Sequence, residues 1–166
     1  MKKYIFFLLI LSACGSKKEI PLTDDQKIDQ LLTNWHKAAA AANFGNYFGA
    51  MTEDAIFIGT DATEYWNKTQ FEAYAKPYFD KGKAWSFKSL KRNIYFSNDK
   101  KMAWFDELLD TQMKICRGSG VLVNTDQGWK IKQYVLSMTV PNDDVEAVVK
   151  IKTPAEDLLI RLLQNK

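Results

Sequence analysis

The residues best suited to chemistry lie in one stretch of alternating polar and apolar side chains, Met102 to Val123. Asp106 and Glu107 supply adjacent carboxylates there, and Arg117 supplies a guanidinium. Successive side chains of a strand point to opposite faces, so strand register decides which of these groups meet. With Thr111 and Gln112 at a hairpin tip, Asp106 falls opposite Arg117 and Trp104 opposite Ser119, all on one face, while Glu107 and Cys116 share the other. Arg117 then offers a rigid fork of donors to a carboxylate or an enolate-like oxygen. Asp106 acts beside it as general base or as the group that orients the guanidinium, and Glu107 is the second candidate carboxylate. A carboxyl walled by Trp and Phe is pushed toward the range that proton abstraction needs near neutral pH. The same spacing also fits a plain cross-strand ion pair, because structural pairs perturb their surroundings as active sites do.

A second group, Asp61, Glu64 and Trp66, is placed with Thr60 to form a pocket rim. Asp61 can equally cap its own turn, and Trp66 can pack on the helix that follows. Trp104, Ser119 and Tyr134 complete the candidate ligand contacts. His36 is the only histidine and stands beside the apolar stripe of its helix, as a rim residue or a catalyst. One histidine without a cysteine cluster makes no transition-metal set, and no serine or cysteine has the partners of an activated nucleophile. Gly118 and Gly120 are no phosphate cradle, since no helix follows to aim its N-terminus at an anion. In a strand they mark a bend or the close approach of a backbone or ring. The expected site uses neither metal nor cofactor.

The elements that position these residues begin after a leader. Lys2-Lys3, the apolar run Tyr4 to Leu11 and the small residues before Cys14 have the order of a secretory signal peptide. The run is too short to span a bilayer as a helix. Leu11-Ser12-Ala13-Cys14 resembles the lipobox of bacterial lipoproteins. The resemblance implies cleavage before Cys14, a diacylglycerol thioether on its sulfur and a palmitate-type acyl group on its amine, so that several chains hold the protein on the membrane. Gly15 and Ser16 carry no acidic side chain to favour inner-membrane retention, so the expected address is the outer membrane of the cell envelope. Residues 1–13 are read as signal peptide, 14–22 as lipidated cysteine and tether, 23–143 as one domain and 144–166 as a C-terminal helical extension. With Cys14 lipidated, Cys116 has no disulfide partner. Loss of Lys2 and Lys3 lowers the formal charge from +3 to +1, and without a basic block there is no footprint for nucleic acid.

Within the domain, Thr23-Asp24-Asp25-Gln26 has the form of a capping box. Ile28, Leu31, Leu32, Trp35, Ala39 and Ala42 follow at helical spacing, which predicts a helix ending near Asn43. Phe44 to Met51 reads as a short second helix, Ala55 to Gly59 as a buried strand and Thr60 to Trp66 as a polar loop. Thr69-Gln70-Phe71-Glu72 opens a third helix, bent late by Pro77. From Ala84 the period becomes two. Trp85–Phe96 (bulged near Lys91-Arg92), Met102–Leu109, Met113–Val123 and Trp129–Val140 read as strands joined by short turns, hence an antiparallel meander. Helices followed by strands is the α+β order. Beyond Pro141, Thr153-Pro154-Ala155-Glu156 marks the start of a last helix, whose stripe of Leu158, Leu159, Leu162 and Leu163 is expected to pack on its own domain.

Taken in order, several short motifs carry a family likeness. They are Trp35 with its alanine run, Asn43-Phe44, Tyr47-Phe48, Gly59-Thr60-Asp61 with Glu64 and Trp66, Phe71, Ala103-Trp104, Arg117-Gly118-Ser119-Gly120-Val121, Trp129-Lys130-Ile131 and Ser137. Over residues 24 to 143 this order resembles the SnoaL-like branch of the nuclear-transport-factor-2-like superfamily. The resemblance implies a cone-shaped, strongly curved antiparallel sheet wrapped around N-terminal helices, a pocket between them, and dimerisation through the sheet. It implies no single activity, since relatives include polyketide cyclases, ketosteroid isomerase, dehydratases and proteins that only bind or assemble. The histidine that this branch often carries ahead of the last-strand serine falls at Val135 here. The expectation is a lipid-anchored domain, a homodimer, that binds a small, partly apolar molecule in the cone or serves as a dimeric assembly module. The alternative is a cofactor-independent isomerase, cyclase or dehydratase using a pocket carboxylate and Arg117.

Overall fold

Helix α1 (Asp24–Ala40) opens on the capping box read from the sequence: Thr23 Oγ1 accepts from Gln26 N–H at 3.3 Å, and Gln26 Oε1 accepts from Thr23 N–H at 3.0 Å. Asp24 and Asp25 lie at its positive end and Lys37 in its last turn, the arrangement the helix dipole favours. The computed structural model describes residues 21–165; the expected signal peptide, Cys14 and the expected tether as far as residue 20 lie outside the described residues. Helix α2 (Phe44–Gly49) folds back so that Tyr47 stacks on Trp35, with 4.9 Å between ring centroids. Helix α3 (Lys68–Asp80) is capped by Asn67 with Gln70, slightly ahead of the expected Thr69 box.

Six strands form one sheet in the order β2-β1-β6-β5-β4-β3. They are β1 (Met51–Ile58), β2 (Tyr65–Asn67), β3 (Lys88–Phe96), β4 (Met102–Thr111), β5 (Lys114–Thr125) and β6 (Gly128–Met138). Strands β3 to β6 make the expected antiparallel meander. Two pairings are additions: β1 lies parallel to β6, and Tyr65–Asn67, expected as loop, pairs with β1. So short a strand leaves no two-fold pattern to read. The register shifts in β3 between Ser89 and Lys91, close to the expected bulge, and again between Val121 and Leu122 where β5 meets β6. Bulges bend a strand and increase its twist, which curves the sheet around the helices. The second shift leaves Lys132 unpaired and reverses the alternation along β6. Trp129 and Ile131 face the core, and then Tyr134 and Leu136 do, which corrects the unbroken alternation expected there.

The β4–β5 turn also differs from expectation. Thr111 pairs with Lys114, so the tip is Gln112-Met113. The Thr111 hydroxyl closes it by donating to the Lys114 carbonyl and accepting from Met113 N–H, both at 2.9 Å. Asp106 therefore faces Ser119, and Leu108 faces Arg117, with the facing of each side chain unchanged. Helix α4 (Val145–Gln164) begins well before Thr153, entered through a 3-10 turn at Asn142–Asp144. Pro154 lies inside it, and Thr153 Oγ1 donates to the Val149 carbonyl at 2.7 Å. None of its residues is buried, and its main contact is with the 3-10 turn, so the expected packing of its stripe on its own domain is not found.

Candidate functional site

The concave face of the sheet holds one fully buried carboxylate, Glu107 on β4. Helix α1 and strands β3 and β6 bring partners to both of its oxygens. His36 Nε2 lies 2.8 Å from Oε1, and the Tyr134 hydroxyl donates to the same oxygen at 3.1 Å. Arg92 donates from Nε and Nη2 to Oε2 at 3.0 and 2.8 Å. Its Nη1 then reaches α1, donating to the Asp29 carbonyl at 3.0 Å, the Asp29 carboxylate at 2.6 Å and the Thr33 hydroxyl at 3.2 Å. Gly118 stands opposite Glu107, where a Cβ would overlap the Tyr134 hydroxyl. That is the close ring approach expected of a strand glycine.

Burial pushes the Glu107 carboxyl up, but the hydrogen bond and charge of His36 together with the charge of Arg92 outweigh it and hold the group below the ordinary carboxylate range. Burial first, and then the Glu107 charge, drives the Tyr134 phenol well up, so it stays a donor. His36 Nδ1 is buried with no partner among the described residues.

A separate hollow of about 170 Å³ opens where α3, β1 and the segment before β3 meet. Phe57, Trp66, Phe71, Tyr74, Trp85 and Phe87 line it, with Gln112 and Met113 of the β4–β5 tip and Leu136 of β6. The rings are nearly parallel: Phe57 and Phe71 stack at 3.9 Å, Trp66 and Tyr74 at 4.5 Å, and Trp66 is inclined 10° to Phe71. Among the described residues, Glu64 is the only acidic or basic side chain that lines it.

The candidates from the sequence divide between these places and the outer surface. Glu107 and Cys116 share a face, as expected, but it is the inner one rather than the face away from the pocket; Glu64 and Trp66 border the hollow. Tyr134 is buried within the Glu107 network. Asp61 caps its own turn, accepting from the Thr63 N–H at 2.8 Å and the Thr63 hydroxyl at 2.6 Å, bonds that hold its carboxyl below the usual range. Asp106, Arg117, Trp104 and Ser119 do share one face, but it is the outer one, which corrects their expected place in the pocket. Ala103, Phe105, Glu107 and Leu109 carry the core side of β4, so the intervening residues must point away. Arg117 Nη1 stands 4.0 Å from the Asp106 carboxylate, with the side chains 56% and 34% exposed. His36 and Arg92 were not expected as partners of Glu107. A signal existed for the first: Asp29, Thr33 and His36 form a polar row at helical spacing beside the apolar stripe. The bulge in β3 hides the second.

Among the described residues, no group of three His, Cys, Asp or Glu side chains comes together as metal ligands. The sequence matches the SnoaL-like domain family over residues 28–141. The chain belongs to that family. Solved structures agree on the fold. An NTF2-like protein from Cytophaga hutchinsonii is 13% identical, with a TM-score of 0.60 over 71% of this chain and 100% of its own. A candidate dehydratase of the NTF2-like family from Streptomyces avermitilis is 10% identical, with a TM-score of 0.60 over 72% of this chain and 100% of its own. An NTF2-like protein of unknown function from Pseudomonas putida KT2440 is 12% identical, with a TM-score of 0.58 over 70% and 87%. No curated protein matches the sequence. In SnoaL-like terms, the helices and curved sheet form the cone, Glu107 lies on its inner wall, and the aromatic hollow is a separate recess.

Proposed function

We propose that this SnoaL-like domain binds a small, partly apolar ligand in the aromatic hollow, and that it does so from a bacterial envelope lipoprotein anchored at Cys14. The observation that carries the binding reading is the hollow itself: parallel rings around about 170 Å³ with one polar edge. An apolar cavity of about 150 Å³ takes a benzene molecule, so one substituted ring matches the space. Pockets of this kind combine apolar walls with a few polar groups that fix orientation. Titration with toluene, followed by Trp66 and Trp85 fluorescence, tests it. A saturable change that weakens when Met113→Phe narrows the hollow supports binding, and no saturable change up to the solubility limit overturns it.

The isomerase, cyclase or dehydratase alternative rests on Glu107 as the pocket carboxylate, with Arg92 in the place expected for Arg117. Binding is preferred because Glu107 is committed to His36, Arg92 and Tyr134, and it lines none of the described cavities.

The anchor rests on the residue order Leu11-Ser12-Ala13-Cys14. No described helix is long and apolar enough to cross a membrane. Labelled palmitate should enter the wild-type protein and not Cys14→Ser; equal labelling of both would sink the anchor. Two copies are proposed to pair through the outer face of the sheet, where Met102, Trp104 and Ile115 are exposed.

A further inference from the structure

We infer that the aromatic hollow is built for a positively charged single ring, an N-alkylated or protonated heteroaromatic cation, with Glu64 as its counter-ion. The inference rests on the ring-binding reading above and adds the charge of the ligand. Two independent features of the site carry it.

The first is the carboxylate. Glu64 is half-buried at the edge of the hollow, and among the described residues it forms no salt bridge. Among the described residues, no lysine, arginine or histidine lines the space. A partly buried carboxylate beside an apolar wall is costly unless something positive or donating meets it. Its position is built: the Gly59 N–H donates to the Glu64 carbonyl at 2.9 Å, and Glu64 Oε2 accepts from Asp61 N–H at 3.2 Å. The carboxylate also lies so close over Gly59 that a Cβ there would overlap it. The loop thus holds Oε2 in place and has no side chain where the carboxylate lies.

The second is the wall. Phe71 lies within 22° of parallel to Phe57, Trp66 and Trp85, and Tyr74 stacks on Trp66. Aromatic faces carry negative potential and attract cations, Trp most strongly. Tyr74 stays neutral in this setting, since burial, its neighbour Tyr78 and the charge of Glu64 all raise its phenol. An anion would meet repulsion from both wall and carboxylate, and a neutral hydrocarbon would strip water from Glu64 without replacing it. A flat cation satisfies both features.

The test compares N-methylpyridinium with toluene, a pair of the same shape differing in charge. Binding is followed by NMR on the methyl resonances of Met113 and Leu136, which line the hollow. The cation should bind about tenfold tighter than toluene, in the range of a desolvated cation–π contact. In Glu64→Gln the ratio of the cation's affinity to toluene's should fall to about threefold or less, the part that the rings alone supply. Toluene binding as tightly as the cation, or a preference undiminished in Glu64→Gln, would overturn the charge inference and leave the ring-binding reading standing. If neither compound binds, both readings fail.

Discussion

At the scale of single residues, the decisive group is Glu107. A carboxylate with no exposure survives in a core only when charge and hydrogen bonds replace its water, and here His36, Arg92 and Tyr134 do so. Removing one partner should therefore hurt more than the lost contact. Arg92→Ala is expected to lower stability by about 3–5 kcal/mol in urea unfolding, because a buried charge is left half-paired. The pH dependence has a definite sign. The folded carboxyl lies below its unfolded value of about 4.3, so its stabilisation is fully present above that value and is lost as pH falls through the lower folded one. Urea midpoints taken from about pH 6 to about pH 3 should fall more steeply for the wild type than for Glu107→Gln. Equal slopes would show that Glu107 contributes nothing to acid lability. The sequence displayed Glu107 beside Asp106 but could not rank them. Which of two neighbours turns inward depends on the apolar partners on either side, and Phe105 and Leu109 decide it for Glu107.

At the scale of elements, strands were legible where their period was unbroken and illegible where one residue disturbed it. Strands β4 and β5 kept their facing despite a shifted hairpin tip, because slipping the pairing by two residues preserves which face each side chain takes. In β6 the extra residue Lys132 turned Tyr134 inward, and no composition signal marks such a bulge. The position this creates for Tyr134 explains Gly118. Gly118→Ala should push the Tyr134 hydroxyl off Glu107 and destabilise the fold by about 1–3 kcal/mol, as overpacked cores do. A chemical melt within error of the wild type would show that the ring can give way. Helix α4 was legible as a helix but not in its start. Thr153-Pro154 has the form of a cap, yet the chain is already helical from Val145. Ending the chain after Asp144 should change the urea midpoint by less than about 0.5 kcal/mol equivalent, because α4 lends no buried side chain to the cone. A larger loss would mean that α4 packs on the sheet in solution.

At the scale of the whole molecule, the cone leaves large apolar side chains exposed on the outer face of its sheet. Tyr95 and Trp104 stack there at 5.9 Å while each is 46% exposed, with Met102 and Ile115 nearby and Asp106 and Arg117 between the strands. Exposed aromatic pairs with an arginine beside them are the composition of an interface centre rather than of a solvated sheet. In the proposed dimer, Asp106 and Arg117 would belong to the rim of the contact between copies. A stable pair buries about 800 Å² on each partner, so the contact would have to spread across several neighbouring strands. Light scattering coupled to size exclusion should give a dimer for the wild type at about 50 µM, a concentration at which micromolar interfaces are filled. Trp104→Glu should give a monomer whose melt matches that of the wild type diluted until it too is monomeric, since the side chain is exposed in the single chain. Arg117→Ala should weaken the dimer without altering toluene binding in the hollow, because Arg117 lies on the opposite face of the sheet from Leu136. A wild type that remains monomeric at that concentration would remove the interface, and a ligand affinity that falls in Arg117→Ala would return that residue to the binding site.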